Sequence, residues 1–493
     1  MTREDEFRRA AEAFLRAAWV VLECQHVVPT SWFHPYIEVG RDYSGPDVAA
    51  LPEYKSLEDL ISASAPRFGD GMPLGERDFP AQYIFSFLQA FVARSARESS
   101  LFAPTGHPVE ASIDDLVAAV DATSWEVGCC RVVSHLTTVD SNEVEIGGVT
   151  ISPLGNAAHS TRREVVDVIG SVIKGADTAF GREAPVVYAP PESVLIVRAM
   201  APKPFDVAPV LSSRIERFLL ALRLLWAGTC ESVFEVQGEI ALVRRFTPTL
   251  VRFRGAGPSL LSPTTRVRRT VRLGADDGPR IQGLWSAIEA AEQPREGMAL
   301  TSFAVAVQKF QLSYHAHTWY DQLVDLATAL EAALSGRDTT DVLLRLRTRA
   351  AALLATDQDP AAAVFADVGT LYSLRSSLVH GGELSEKRLR NLIMRVSTVP
   401  PDALLGTATG YVVDRVRDLV RRSLLARICL AADHEESLWP LDAEPGVDAA
   451  LADDNARTLW RECWRDRLAS FDALFAADRP RRAVDAISQE DTY

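Results

Sequence analysis

Lysine is scarce in this chain: only five of its 52 basic residues are Lys, and the other 47 are Arg. Acidic residues number 66, which leaves a formal net charge of −14. This balance excludes a histone-like protein that holds nucleic acid over its whole surface, although it allows a local basic groove. Any contact with phosphate must then come mainly from guanidinium groups.

Several common signatures are also absent. Six cysteines in 493 residues are too few for a disulfide framework, and no Cys-x-x-Cys pair marks a zinc site. No apolar run is long enough to span a membrane, and the N-terminus is acidic and amphipathic rather than signal-like. Phosphate-loop, Rossmann, zinc-protease and serine-hydrolase motifs do not occur. We expect a cytoplasmic protein that uses no membrane segment, metal or cofactor.

The first 280 residues alternate between helical and strand-like patterns, which predicts an α+β region. Helical periodicity is found at 4–24, 82–97, 112–122 and 211–227, whereas 143–154 has the pattern of a hairpin with a Gly-Gly turn. Further strands are expected within 184–200 and 232–254. Prolines interrupt residues 28–80, where we expect turns and short elements.

A linker signal at 273–279 (LGADDGP) separates this region from an almost purely helical one. Apolar residues at three- and four-residue steps, with short connections, predict a helical bundle. The expected helices are 281–293, 299–316, 318–335, 340–355, 361–380, 385–397 and 409–432, followed by a further helical stretch at 447–476. The predicted domains are an α+β sensor or specificity region (1–280), an all-α bundle (281–433) and a helical C-terminal extension (434–493).

The helical half contains LYSLRSSLVHGG at 371–382, in which Arg375 and His380 are spaced Arg-x-x-x-x-His. The leucines form an apolar stripe, and a Gly-Gly pair ends the helix after His380. On a regular helix the two residues lie about 140° apart. Either the helix breaks near His380, or the two side chains meet through a second copy of the motif.

A partly buried Arg375 needs an acceptor. Glu331 lies at the edge of the leucine stripe in DLATALEAAL and is the best candidate for an internal ion pair with Arg375. The same residues also fit a purely structural interpretation, with Arg375 tied to Glu331 and His380 at a helix C-terminus, where the dipole favours a cation.

Three blocks in order, DQLVDLATALEAALSG, LRLRTRAAALL and LYSLRSSLVHGG, resemble the Apea-like branch of the HEPN superfamily. Members of this branch typically carry a Glu-bearing helix, an Arg-x-x-x-Leu-Leu helix and a Tyr-x-x-Arg-Ser-x-x-x-His-Gly segment. The matching positions here are Glu331, Arg349 and the segment from Tyr372 to Gly381. The resemblance covers about residues 299–432.

The resemblance implies a bundle that forms a homodimer with two Arg–His motifs facing each other. Catalytic HEPN proteins are metal-independent endoribonucleases, often found in antiviral or abortive-infection systems. His380 would be the general acid or base and Arg375 would stabilise charge on phosphorus, with Tyr372 and Ser376 in support. Gly382 stands where members paired with a minimal nucleotidyltransferase often have Tyr, which disfavours that branch.

A basic segment precedes the bundle, because residues 240–275 hold eight arginines and no acidic residue. The eight are Arg244, Arg245, Arg252, Arg254, Arg266, Arg268, Arg269 and Arg272. One interpretation is an RNA-binding track, with Phe246 and Phe253 available for stacking. The other is a solvated sheet face whose arginines pair with glutamates of neighbouring segments.

Cys129, Cys130 and His135 are close in sequence and resemble a metal cluster only superficially. We interpret them as small buried residues near a strand.

The leading hypothesis is a cytoplasmic, homodimeric, metal-independent endoribonuclease with an N-terminal sensor or specificity domain, which cuts RNA in phage defence; the sequence does not identify a regulatory partner. The alternative is a non-catalytic HEPN module that binds RNA or a protein. A third hypothesis is a structural or regulatory helical protein in which the motif is coincidental.

Overall fold

The computed structural model of the chain describes most of its residues. The described segments are 2–22, 24–28, 36–39, 46–63, single positions between 81 and 95, 107–121, 124–140, 142–153, 192–201, 204–226, 231–239, 250–252, 270–292, 301–316, 318–335, 341–379, 385–431 and 447–470.

A six-stranded antiparallel sheet lies in the N-terminal part. Its strands are β3 (Trp125–Ser134), β5 (Val144–Ile146), β6 (Val149–Pro153), β7 (Ser193–Ala201), β8 (Glu231–Glu239) and β9 (Leu250–Arg252). They are arranged in the order β5-β6-β7-β3-β8-β9, which places β3 between β7 and β8. Two separate strand pairs are β1 (Cys24–Val28) with antiparallel β2 (Tyr36–Val39), and β4 (Leu136–Thr138) with parallel β10 (Val271–Leu273).

The predicted Gly-Gly hairpin is confirmed by β5 and β6, which pair in antiparallel register across Gly147 and Gly148. Both glycines have positive φ, +59° and +75°, as the tight turn between two twisted strands requires. A Cβ at Gly147 would lie 3.3 Å from the Trp285 ring, so the turn also needs glycine for a close approach.

The N-terminal part also contains four helices that pack on one another and one long helix that packs on the sheet. They are α1 (Arg3–Leu22), α2 (Pro46–Ala49), α3 (Pro52–Ser62), α4 (His107–Asp121) and α5 (Pro204–Leu225). Phe7, Ala11, Phe14 and Ala18 of α1 are buried, which confirms the apolar face predicted for this helix. The predicted helix at 82–97 is described only at single positions, all of them helical. α5 packs on β3 and β7.

The C-terminal half consists of packed helices, in close agreement with the expected boundaries. They are α6 (Gly278–Glu292), α7 (Ser302–Leu312), α8 (Trp319–Leu334), α9 (Val342–Leu354), α10 (Ala361–Val379), α11 (Glu386–Ile393) and α12 (Leu405–Ala431). α7 packs on α8, α9 on α10, and α8 on both α10 and α12. Each leucine buried between them contributes roughly 1.5–3 kcal/mol. The described part of the chain is therefore mostly helical, and its largest sheet is small and antiparallel.

The expected linker at 273–279 is an ordered connection. β10 ends at the buried Leu273, a 3-10 turn spans Ala275–Asp277, and α6 begins at Gly278. The Asp277 side chain accepts a hydrogen bond from the Gly274 amide at 2.9 Å, which fixes the turn. The buried side chains form one cluster that extends across this connection. The division into three domains stays a prediction.

The C-terminal stretch predicted as helical is divided into α13 (Val447–Ala452) and α14 (Asp454–Ser470). α14 packs on α12, with Trp464 and Leu468 buried. Among the described helices, none has both the length and the apolar character of a membrane span.

Candidate functional site

The candidate site lies in the last two turns of α10. The expected apolar stripe is present, since Leu371 and Leu374 are buried and Leu378 packs against the core. Tyr372, Arg375 and Ser376 share these turns and are half-buried. His380 and Gly381 follow directly in sequence and lie outside the described residues. The structure therefore describes the Arg375 half of the motif.

The Arg375 guanidinium is partly withdrawn from solvent without an acidic partner. Its Nε atom is buried and has no hydrogen-bond acceptor. Its Cζ atom lies 5.7 Å from the centroid of the Tyr372 ring, within the range of a cation–π contact. Among the described carboxylates, none pairs with Arg375. An unneutralised guanidinium beside an aromatic ring is suited to binding an anion.

The predicted Glu331–Arg375 ion pair is wrong. Both residues are described, yet no hydrogen bond or salt bridge joins them. Glu331 is half-buried on α8, next to the buried Leu330. Because successive helical residues are turned by about 100°, Glu331 lies at the rim of the apolar contact between α8 and α10 rather than within it.

Arg349, predicted to support the site, makes a set of buried contacts on α9. Its Nη1 donates to the backbone carbonyls of Leu334, at 2.8 Å, and Ser335, at 2.5 Å. These oxygens belong to the C-terminal end of α8, which lacks intrahelical donors. Its Nε donates to Asp448 of α13 at 2.8 Å. Arg349 thus joins three helices, and these contacts are structural.

Asp367 anchors the N-terminal half of α10 and was missed by the sequence analysis. It is buried and accepts hydrogen bonds from the backbone amide of Ser397 at 2.8 Å and from the Ser397 hydroxyl at 2.6 Å. Arg415 Nε on α12 donates to the same carboxylate at 2.8 Å. This carboxylate therefore fixes α10 to α12 and to the segment that follows α11.

The Asp367 contacts extend into a buried ion-pair network along α12. Arg415 also holds Asp359 through both Nη atoms at 2.7 and 2.9 Å, and Arg422 donates to Asp359 at 2.5 Å and to the Leu354 carbonyl at 2.8 Å. Burial raises the pKa of Asp359, but the hydrogen bond from Arg415 and the charge of Arg422 outweigh it and lower the pKa.

Asp418 lies in the same network. Burial opposes its ionisation, yet the charges of Arg422 and Arg421 hold its pKa well below the usual range. The sequence signal was the run DRVRDLVRR at 414–422, whose charges recur at three- and four-residue steps. Because the same pattern is typical of a solvated helix face, it does not predict a buried ion-pair network.

A second polar cluster, which contains two buried arginines, connects α5 to the bundle. Tyr314 lies between two guanidinium groups, with Arg223 Cζ 4.1 Å and Arg417 Cζ 4.3 Å from its ring centroid. Burial raises the pKa of Tyr314 despite these charges. On the sheet side, the fully buried Arg131 donates to Glu216 of α5 at 2.6 Å.

The predicted RNA-binding arginines lie largely outside the described residues, as do the stacking candidates Phe246 and Phe253. Arg252 is in β9, where its backbone lies opposite that of Glu235 in the antiparallel register with β8. Arg272 is exposed on β10, and its charge lowers the pKa of Glu192, although burial raises that pKa more strongly. The remaining six are Arg244, Arg245, Arg254, Arg266, Arg268 and Arg269, so the RNA-binding track stays a prediction.

The interpretation of Cys129 and Cys130 as buried strand residues is confirmed, because both lie inside β3 with little exposure. Burial raises the pKa of the Cys130 thiol to about 12. His135 follows β3 in a left-handed conformation (φ 58°). Within the described segments, no group of His, Cys, Asp and Glu residues is arranged to hold a metal ion.

Comparisons of the chain with family models, with curated proteins and with solved structures found no match. Any function must therefore be argued from the residues themselves.

Proposed function

We propose that this chain is a metal-independent endoribonuclease of the HEPN type that acts as a homodimer in phage defence. Its active site would combine Arg375 and His380. The observation that supports the proposal best is the half-buried Arg375 guanidinium, which no described carboxylate neutralises, five positions before an imidazole. The contrast with Arg349 and Arg415 is informative, because all three guanidinium nitrogens of each of these residues donate to carbonyl or carboxylate oxygens.

The proposed chemistry uses only the protein and the RNA. His380 accepts the proton of a ribose 2′-OH, whose oxygen attacks the adjacent phosphorus. The phosphorus–O5′ bond breaks, the 5′ oxygen takes up a proton, and the products are a 2′,3′-cyclic phosphate and a 5′-OH. Arg375 stabilises the charge on the phosphoryl oxygens through its planar fork of donors. Because no step is assigned to a metal, cleavage is expected to continue in EDTA.

The geometry of α10 supports a dimer. This helix is regular through Val379, and positions five residues apart on a regular helix differ by about 140°. A single regular helix therefore cannot turn both groups toward one phosphate. Two copies facing each other would bring Arg375 of one protomer to His380 of its partner.

The bundle also gives Arg375 a rigid support. Asp367 fastens α10 to α12 and to Ser397 through three hydrogen bonds. Leu371 and Leu374, which neighbour Arg375 on this helix, are buried in the core. A charge that is already in position before the reaction requires no reorganisation during it. The proposed role of Arg375 needs a charge that is held in this way.

The test is cleavage of a labelled RNA by the purified full chain in EDTA, with identification of the product ends. Removing one positioned charge of this kind costs about 10²–10³ in rate, so we expect Arg375→Ala and His380→Ala each to lose at least that much. Ser373→Ala is the matched control, because Ser373 is exposed on the same helix and bonds only within it. Wild-type rates in both site variants would overturn the proposal.

A non-catalytic module that binds RNA or a protein is the second candidate. Tyr372 and Arg375 are types that dominate binding hot spots, and Val379 at the end of α10 is 48% exposed. RNA that is bound but never cut, by a protein whose dimer and fold are intact, would favour this candidate.

A further inference from the structure

α11 has two chemically different sides. Leu389 and Leu392 are half-buried against the core, and Ile393 is fully buried. The exposed side carries basic residues, which continue one turn beyond the helix. We call this surface the α11 cation face, and it consists of Lys387, Arg388, Arg390 and Arg395.

The α11 cation face is a concentrated positive charge in an acidic chain. Residues 387–395 contain four cations and no acidic residue, whereas the whole chain has a net charge of −14. Among the described residues, no carboxylate forms an ion pair or side-chain hydrogen bond with these four side chains. Their charge is therefore available to an external anion, and local clusters of this kind attract polyanions even to proteins of opposite net charge.

α11 packs on α10, the helix that carries Arg375. At its start, Ser385 caps the helix by accepting a hydrogen bond from the Arg388 amide, six residues after α10 ends at Val379. At its far side, Ser397 is hydrogen-bonded to Asp367 in α10. Val379 and Asp367 are roughly 18 Å apart along α10 at 1.5 Å per residue, and Arg375 lies between them.

We infer that the α11 cation face binds the phosphates of a single-stranded RNA and leads that strand to Arg375. The inference rests on the proposed function, and it names the surface that holds the substrate. Nucleic acid fits better than a protein partner, because the exposed side of α11 has no aromatic or aliphatic anchor of the kind that protein interfaces use. Contacts of this type to phosphates are independent of sequence and weaken with salt.

The experiment measures binding of a fluorescein-labelled 20-nucleotide oligo(U) RNA by anisotropy at several KCl concentrations. The full chain carries His380→Ala, so that the probe stays intact. The test variant adds Lys387→Gln, Arg388→Gln, Arg390→Gln and Arg395→Gln, all at exposed positions. Because each phosphate contact to a single strand contributes about 0.7 to the salt slope, we expect the slope to fall by up to about 3 and affinity to drop at least about tenfold.

The matched control removes the same number of exposed charges from α1 and α3. It consists of Arg3→Gln, Arg9→Gln, Arg16→Gln and Lys55→Gln, and we expect binding close to that of the parent. Circular dichroism checks that both variants are folded. Equal loss in the control, an unchanged slope in the test variant, or no RNA binding by the parent would each overturn the inference.

The same proteins separate this inference from the proposed function. One outcome is that RNA binding depends on salt and on the α11 cation face while the wild-type protein never cuts RNA. This outcome supports the inference and contradicts the proposed ribonuclease activity. The other outcome concerns a chain that retains His380 and carries the α11 substitutions. If it binds and cuts RNA with the wild-type affinity and rate, the result supports the proposed ribonuclease activity and contradicts the inference.

Discussion

Arg415 Nε lies 2.8 Å from Asp367 Oδ2, and both side chains are almost completely buried, at 5% and 1% exposure. This contact connects the long helix α12 to α10, the helix that carries Arg375. Two charges removed from water stabilise a fold only while each has its partner. The Arg415–Asp367 pair therefore makes the position of α10 depend on a residue that is remote from the candidate site in sequence.

Replacing Arg415 with Met should lower the free energy of unfolding by about 3–5 kcal/mol, because Asp367 and Asp359 would lose a buried partner. Because the Met side chain keeps most of the aliphatic volume, the decrease in the free energy of unfolding measures the loss of the charge. Urea denaturation followed by circular dichroism measures it. Arg16→Ala is the control, since its exposed pair with Glu12 should be worth less than about 1 kcal/mol. Similar losses in the two variants would contradict this prediction.

Acid should destabilise the protein through Asp359 and Asp418. Their folded pKa values are lowered below the ordinary value, so their stabilising contribution is complete above the unfolded pKa of about 4 and is lost as the pH falls toward the folded pKa. We expect the urea midpoint to be steady near neutral pH and to decrease below pH of about 4. Asp359→Asn should be less stable at neutral pH and lose less on acidification. Parallel pH profiles for the two proteins would refute this assignment.

Gly369 on α10 makes room for the Arg347 side chain, which lies with its Cζ 3.9 Å above the Phe365 ring and donates to the Phe365 carbonyl at 3.0 Å. A Cβ at position 369 would lie 2.8 Å from Arg347 Nε. Gly369→Ala should therefore cancel the helix-propensity gain of about 1 kcal/mol, because it displaces Arg347 from these contacts.

In an Arg347→Ala background the same substitution should stabilise the protein by about 1 kcal/mol, since the obstacle is gone. Gly406→Ala on α12 is the control, because nothing lies near its Cβ position and a small gain is expected. Thermal or urea unfolding of the four proteins of this cycle measures the coupling. An equal effect of Gly369→Ala with and without Arg347 would show that the two residues are independent.

Local patterns in the sequence predicted most of the described elements. Apolar periodicity located α8 and α10 to within a residue or two at each end, and the Gly147–Gly148 pair located a hairpin, because these signals depend on neighbours in the chain. The strand order was not predictable, since the pairing of β3 with both β7 and β8 joins segments far apart in sequence.

The burial of charged residues along α12 was the main feature that the sequence did not predict. Arg415 and Arg422 alternate with apolar residues as they would on a solvated helix, and both are buried because α10 and Asp359 pack on that side of α12. The predicted ion pair of Glu331 was wrong for a related reason. The apolar pattern of a helix locates the edge of its buried face only to within about one residue, which corresponds to about 100° of rotation. Tertiary contacts decide both questions, and a single sequence does not contain them.

The ion pair between Arg349 and Asp448 joins positions 99 residues apart. A ribosome delivers the chain from its N-terminus, so α9 is complete long before Asp448 is synthesised. Until then the Arg349 guanidinium can hold the end of α8 but lacks its negative partner. The junction of α8, α9 and α13 is therefore completed only after residue 448 has been added.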